Sequence, residues 1–324
     1  MKTPSFWNER NLIATLLLPF SHLYQTANLL RQTYTKPARF PIPVICIGNI
    51  TAGGSGKTPV ALHIGTWMKK NNVNAFYLSR GYGGALGGPV LVDPKKHTAH
   101  DVGDEPLLLA EILPTIVAKT RVEGARLALQ KGARAIIMDD GFQNPSIAKT
   151  LSIVVIDGKI GFGNGRLIPA GPLREQPGLA LRRAHAVIIL NRSTAIPPLP
   201  PEMLTLYART RLENADMLKG KKIFAFCGLA YPHKFFDMLT SVGAKIVGTQ
   251  TFADHHNYSQ TDLNKLLAKS ITEDAALVTT RKDAIRLPKE FQDCVAVMDM
   301  AIEFDDERLL DGMFHYILNP HEKA

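Results

Sequence analysis

The sequence predicts an α/β protein: a mostly parallel sheet flanked by helices, a second and smaller α/β domain, and an amphipathic helix ahead of both. Three stretches carry that prediction. Val44 to Lys70 reads as an apolar strand, a glycine-rich turn and a helix. Ala133 to Gln143 reads as another apolar strand, tipped by the acids Asp139 and Asp140. Beyond the proline-rich segment Ile196 to Pro201, strand and helix patterns alternate again from Lys222. The expected division is therefore a helix within 1–36, a first domain over 37–203, a linker over 204–221 and a smaller domain over 222–324.

A chain of 324 residues forms one large or two ordinary domains. Its 45% apolar and 21% charged residues describe a globular protein and exclude a disordered one. The formal net charge of +9 suits polyanions such as nucleotide phosphates, nucleic acid or anionic headgroups, without choosing among them. Cys46, Cys227 and Cys294 form no CxxC pair. They read as buried thiols in a reducing compartment.

Asn11 to Leu30 contains no Asp, Glu, Lys or Arg, and Leu12, Leu16, Phe20, Leu23, Ala27 and Leu30 recur at helical spacing. Asn11, Ser21 and Gln25 are too polar for a membrane span, and Glu9 with no cleavage pattern argues against a signal peptide. Pro19 is expected to kink the helix. Its stripe can cover the protein's own core or lie on a membrane surface, where Trp7, Arg10 and Arg31 would flank it as interfacial residues.

The turn Thr51-Ala52-Gly53-Gly54-Ser55-Gly56 runs into Lys57 and Thr58 between a strand and a helix, the context of a P-loop NTPase-like fold. Glycines let backbone N–H groups turn toward an anion, Lys57 reaches the β- and γ-phosphates, and the Thr58 hydroxyl binds Mg²⁺. Thr51 stands where the motif's first glycine usually lies. Asp139 and Asp140 then have the place of a Walker B acid at a strand's end. Arg80, after the strand Asn74 to Ser79, is placed either to meet a phosphate or to face solvent. Asp104 and Glu105 precede a helix, where an N-cap and a first-turn acid are the ordinary roles. Arg174 and Glu175 close a long Gly- and Pro-rich loop, as site residues or as each other's ion pair. His255 and His256 lack the cysteines or helical HxxxH spacing of a zinc site. A carboxylate-oriented acid–base pair or a turn cap fits them better.

In order, Pro4-Ser5-Phe6-Trp7, Gly48 through Pro59, Ser79-Arg80-Gly81-Tyr82-Gly83, Gly103-Asp104-Glu105-Pro106, Asp139-Asp140-Gly141-Phe142-Gln143, Pro169 through Glu175, Asp254-His255-His256 and Lys282-Asp283 resemble the tetraacyldisaccharide 4'-kinase family over nearly the whole chain. Asn144, Gln176 and Arg281 depart from its usual pattern. The resemblance implies γ-phosphoryl transfer from MgATP to the 4'-hydroxyl of an acylated disaccharide 1-phosphate in lipid A synthesis. It implies Asp104 with a histidine, His255 preferred, acting on that hydroxyl, and Lys57 and Arg174 stabilising charge. It implies a metal and nucleotide neighbourhood of Thr58, Asp139, Asp140, Glu175 and Glu105, and substrate contacts at Arg80, Asn49 and His256. It also implies a peripheral place at the cytoplasmic face of the inner membrane and a small domain closing over the nucleotide. No nucleic-acid motif is present, and neither a nucleic-acid partner nor an obligate protein partner is expected. The rival class is a P-loop NTPase acting as a nucleotide-driven switch for a protein partner.

Overall fold

The five adjacent strands at the middle of the large sheet are buried at every residue, as a parallel sheet covered on both faces requires: β1 (Val44–Gly48), β2 (Ala75–Ser79), β5 (Ala135–Asp139), β6 (Leu151–Asp157) and β7 (Ala186–Leu190). The computed structural model describes residues 4–193, 196 and 198–319. Residues 1–3 and 320–324 of the expected outer regions, and Pro197 of the proline-rich segment, lie outside the described residues. With β3 (Val90–Leu91), β4 (Thr115–Val117), β8 (Leu204–Leu212) and β13 (Met300–Phe304), these strands make a nine-stranded sheet in the order β13-β8-β7-β6-β1-β5-β2-β4-β3. Only the edge strands β3 and β13 pair antiparallel. A second, four-stranded sheet is parallel throughout, in the order β10 (Lys245–Thr251), β9 (Lys222–Cys227), β11 (Ala276–Thr280), β12 (Val295–Met298).

Packing follows the strand alternation. Ile45 and Ile47 of β1 meet Val60, Ile64 and Met68 of the helix Lys57–Lys70, while Val44 and Cys46 point into the opposite core. In the smaller sheet, Ile223 and Ala225 pack on Phe235 and Leu239 of the helix Pro232–Ser241. Phe224 and Phe226 pack on Leu263 and Leu266 of the helix Gln260–Glu273. The register Ile47↔Asp139 sets the acid at the end of β5 beside the start of the glycine turn after β1. That approach is close: a Cβ on Gly48 would lie 2.4 Å from the Phe142 Cβ.

The topology corrects the expected linker and C-terminal domain. Residues 204–212 are β8, paired to β7 inside the large sheet. After β12 a single residue, Asp299, leads into β13, so residues 300–318 rejoin the large body. The helix Glu307–Leu318 then buries Leu310 and Phe314 against the large core, with the Phe314 ring 4.9 Å from Trp67. The smaller body thus hangs on two strand connections, one through 213–221 and one through Asp299. Phe314 is fully buried. Phe314→Ala is therefore expected to cost roughly 3–5 kcal/mol of unfolding free energy in a denaturant titration.

The N-terminal segment forms two helices, Leu12–Leu16 and Leu18–Tyr34, with Asn11 capping the first and Pro19 in the first turn of the second. Pro19 breaks the segment because its missing N–H is tolerated in a first turn and nowhere further in. Ala14 and Ser21 face the protein. The apolar stripe faces away, with Leu12 74%, Leu16 67% and Leu23 69% exposed. Of the two ways to bury that stripe, the protein's own core is not the one used. Cys46 and Cys227 are buried as expected, but Cys294 is exposed.

Candidate active site

The glycine turn is shaped before any ligand arrives. Gly56, at φ 80°, is the N-cap of the helix Lys57–Lys70, a left-handed backbone that a side chain would strain. Ala52 N–H donates to Pro172 O at 2.7 Å and Arg174 N–H to Ile50 O at 2.7 Å, zipping the turn to the long loop. Inside it, the Asn49 amide donates to Ser55 Oγ at 2.8 Å and to the Thr51 carbonyl. Asn49 is fully buried, so it braces the turn instead of reaching a substrate, which corrects its expected role. Gln143 donates to the Asn49 carbonyl at 2.7 Å and ties the turn to the acids after β5.

Lys57 Nζ lies 3.6 Å and Arg174 Nη1 2.8 Å from the same Asp140 oxygen. Burial works against ionising Asp140, but these cations outweigh it and hold its carboxyl down at about 2. Asp139 is the opposite case. Burial, followed by the like charges of Glu105 and Asp140, pushes its carboxyl well above the carboxylate range. Its Oδ1 is buried with no hydrogen-bond partner. Thr58, on the first turn of the helix, lines the same cleft. Among the described residues no three His, Cys, Asp or Glu side chains converge as a ready-made metal cage. The orphaned Asp139 oxygen is nevertheless the atom a bound cation would complete, and a hydroxyl plus a carboxylate, with the remaining positions left to water and phosphate, is a Mg²⁺ donor set.

Of the two remaining expected metal neighbours, one goes elsewhere. Glu175 is buried among Arg183, which pairs with it, and Gln143, whose amide donates at 2.9 Å. It does not line the cleft, and it is paired with Arg183, not with Arg174. Glu105 does line the cleft, but Lys282 Nζ stands 3.4 Å from it.

Facing the cations across the cleft, His255 Nδ1 lies 2.9 Å from Asp104 Oδ2. Gly103 takes the N-cap position, which leaves the Asp104 carboxylate free of the capping role and aimed at the histidine. Burial works to raise Asp104, yet the His255 hydrogen bond and the Arg286 charge prevail and hold it below the usual carboxylate range. His255 sits at φ 60°, uncommon for a residue with a side chain and a mark of a position fixed by its surroundings. His256 turns the other way: it meets Asp262 at 3.1 Å, in the N-terminal capping box of the helix Gln260–Glu273, and stacks on Phe252. It does not line the cleft, so its expected substrate contact is corrected to a structural one. Arg80 does line it, exposed at the end of β2.

The cleft that joins these groups has a volume of about 1060 Å³ and runs from the P-loop past Tyr231 of the smaller body to Tyr24 and Arg31 of the N-terminal helix. Sequence reasoning missed Lys119 and Arg121, which line it after β4. Basic residues at the carboxyl end of a parallel strand were the available signal. Arg121 is buried, which lowers its guanidinium to about 10 against the raising effect of Asp139 and Asp140. Lys234, paired with Asp157 across the two bodies, had no comparable signal.

Residues 13–317 match the family model for tetraacyldisaccharide-1-P 4'-kinase. The chain is 46% identical to the tetraacyldisaccharide 4'-kinase of Rhodospirillum rubrum, covering 97% of this chain and 98% of that one. It is 43% identical to the enzyme of that name from Rhodospirillum centenum, over 98% and 97% of the two chains. Among solved structures it is similar to LpxK from Aquifex aeolicus in complex with ATP, with TM-score 0.78, 29% identity, and 95% of this chain and all (100%) of that chain covered. A P-loop with its acid-tipped neighbouring strand, an Asp–His pair facing it and a match from end to end place this chain in the tetraacyldisaccharide-1-P 4'-kinase family.

Proposed function

We propose that the protein transfers the γ-phosphoryl group of ATP to the 4'-hydroxyl of an acylated disaccharide 1-phosphate, a step of lipid A synthesis. The observation that carries this reading is the pairing of the buried Asp104 with His255, whose ring lines the same cleft as Lys57, Arg174 and Asp140. A switch NTPase needs the cationic half of that site but has no use for an acid–base pair opposite it.

The acceptor oxygen forms a bond to the γ-phosphorus while the bond from that phosphorus to the β,γ-bridging oxygen breaks, leaving ADP. The hydroxyl proton passes to the Asp104–His255 pair. Charge spreads over the γ-phosphoryl oxygens in the transition state, so catalysis is mostly positioning and electrostatics. Lys57 and Arg174, which share an Asp140 oxygen in this structure, turn to those oxygens. Thr58 and Asp139 would hold Mg²⁺, which would supply further positive charge against the same oxygens. The smaller body, which carries His255 already paired with Asp104, closes over the nucleotide.

The outward stripe of the N-terminal helices fits a peripheral site on the cytoplasmic face of the inner membrane, where an acylated acceptor resides. No helix among the described residues is long and apolar enough to cross a membrane. Arg31 and Tyr24, on the inner side of the same helix, line the cleft, so one helix would meet lipid outside and headgroup inside. Leu16→Glu with Leu23→Glu is expected to weaken cosedimentation with phospholipid vesicles by roughly tenfold or more at unchanged melting temperature, because both side chains are exposed already.

The proposal is tested with γ-labelled ATP, with and without acylated disaccharide 1-phosphate. Label in the lipid fraction, dependent on the acceptor, is expected. Release of inorganic phosphate at the same rate without the acceptor would favour the switch.

A further inference from the structure

Arg286 is almost fully buried, with 2% of its side chain exposed, and its guanidinium is held at several points at once. Nη2 lies 2.7 Å from Asp283 Oδ1, Nη1 donates to the backbone carbonyl of His256 at 3.1 Å, and Nε donates to the Lys282 carbonyl at 3.3 Å. Nε also lies 3.5 Å from Asp104 Oδ2, the same oxygen that meets His255. Asp283 is itself fixed by the Tyr258 hydroxyl at 2.7 Å, the Thr280 hydroxyl at 2.7 Å and the Gly228 N–H at 2.9 Å.

Such a network exceeds what Arg286 needs for burial. Asp283 alone supplies a full counter-charge, with good geometry and its remaining lone pairs satisfied. The contacts to Asp104 and to the loop carrying His255 are surplus to that requirement. One sets a charge beside Asp104 and the other holds the loop that carries His255, so both bear on the acid–base pair. Asp104 comes from the large body, and the His255 loop from the smaller one. Only a rigid, planar, multiply donating group can hold both in register, and a lysine cannot imitate its fork.

We infer that Arg286, seated on Asp283, is a positioning residue that sets the Asp104–His255 pair in its working geometry when the two bodies meet. It touches neither nucleotide nor acceptor and acts through Asp104. The inference rests on the reading of Asp104 and His255 given above, and its test separates the two.

Steady-state kinetics with MgATP and acylated disaccharide 1-phosphate would be measured for Arg286→Lys, Arg286→Gln, Asp104→Asn and the double variant Arg286→Lys/Asp104→Asn, each with its melting temperature. Arg286→Lys keeps a cation beside Asp283 and is expected to keep the fold. Its kcat should fall roughly 100-fold, the scale of a small misplacement of reacting groups, with the KM for MgATP within about two-fold of wild type. The double variant should be no slower than Asp104→Asn alone, because the arginine would have nothing left to position. Arg286→Gln should be at least as slow as Arg286→Lys.

Full kcat in Arg286→Lys would overturn the inference, as would losses that multiply in the double variant. A fall in melting temperature with kcat and KM spoiled together in both Arg286 variants would also overturn it, by showing a structural role. If Asp104→Asn is slow while Arg286→Lys is not, only this inference fails. If Asp104→Asn works at the wild-type rate, the reading of the pair fails and takes this inference with it.

Discussion

Lys57→Ala is expected to lower kcat/KM for MgATP by roughly a thousandfold, the scale on which one preorganised charge-stabilising donor acts. The lysine starts the helix that carries the glycine turn, and its ammonium is one of two cations on a single Asp140 oxygen. Those cations can leave Asp140 for phosphate oxygens without rebuilding the site. Removing Lys57 takes away charge at the γ-phosphoryl group, where it develops. The fold should survive, because Arg174 remains 2.8 Å from Asp140 and the charge of Arg121 still acts on the buried Asp139. Circular dichroism and the melting temperature would confirm that. A variant with near wild-type kcat/KM would remove Lys57 from the mechanism.

Asp104→Asn is expected to reduce kcat by about 10²- to 10⁴-fold, the usual range for a positioned general base. The KM for MgATP should change little, since Asp104 belongs to the helix Asp104–Ala110 and not to the P-loop. Asparagine preserves the shape and a hydrogen bond toward His255 while removing the charge that takes up the proton. His255→Ala should be slow as well, but combining it with Asp104→Asn should add little, because the two act as a unit. Asp104→Ala should be as slow as Asp104→Asn, although it leaves Arg286 with Asp283 as its remaining acid. A turnover loss confined to KM would point to ground-state binding and away from base catalysis.

What the sequence shows well is what lies on one continuous stretch. Strand, glycine turn, lysine and helix are consecutive, so Val44 to Lys70 announces its own geometry, and the acids ending β5 follow from the same logic of strand ends. Partners distant in sequence are harder to read. Asn49 and Glu175 sit among site residues in the chain, yet one is turned into the loop and the other into Arg183. His255 and His256 are adjacent, and the left-handed backbone at His255 sends them to opposite partners, Asp104 and Asp262. Arg286 follows the short helix Arg281–Ala284 and carries no strand-end or glycine signal of its own, so only the folded chain shows it beside Asp104.

The linker expectation fails for a related reason. The segment at 204–212 follows a proline-rich stretch and reads like a bridge, but its neighbours in space are β7 and β13. The short β13 is separated from β12 by Asp299 alone, and no local pattern reveals that the chain changes sheets there. That crossing matters for function. It ties the body carrying His255 to the large sheet by two strand connections, a connection suited to bodies that open and close while keeping register.

The most direct test is fragmentation mass spectrometry of acylated disaccharide 1-phosphate after incubation with the protein and MgATP. The account predicts one added phosphate, carried by the sugar distal to the existing 1-phosphate and placed on its 4'-oxygen. Unchanged lipid alongside ADP and free phosphate, or a phosphate added to the proximal sugar, would contradict it.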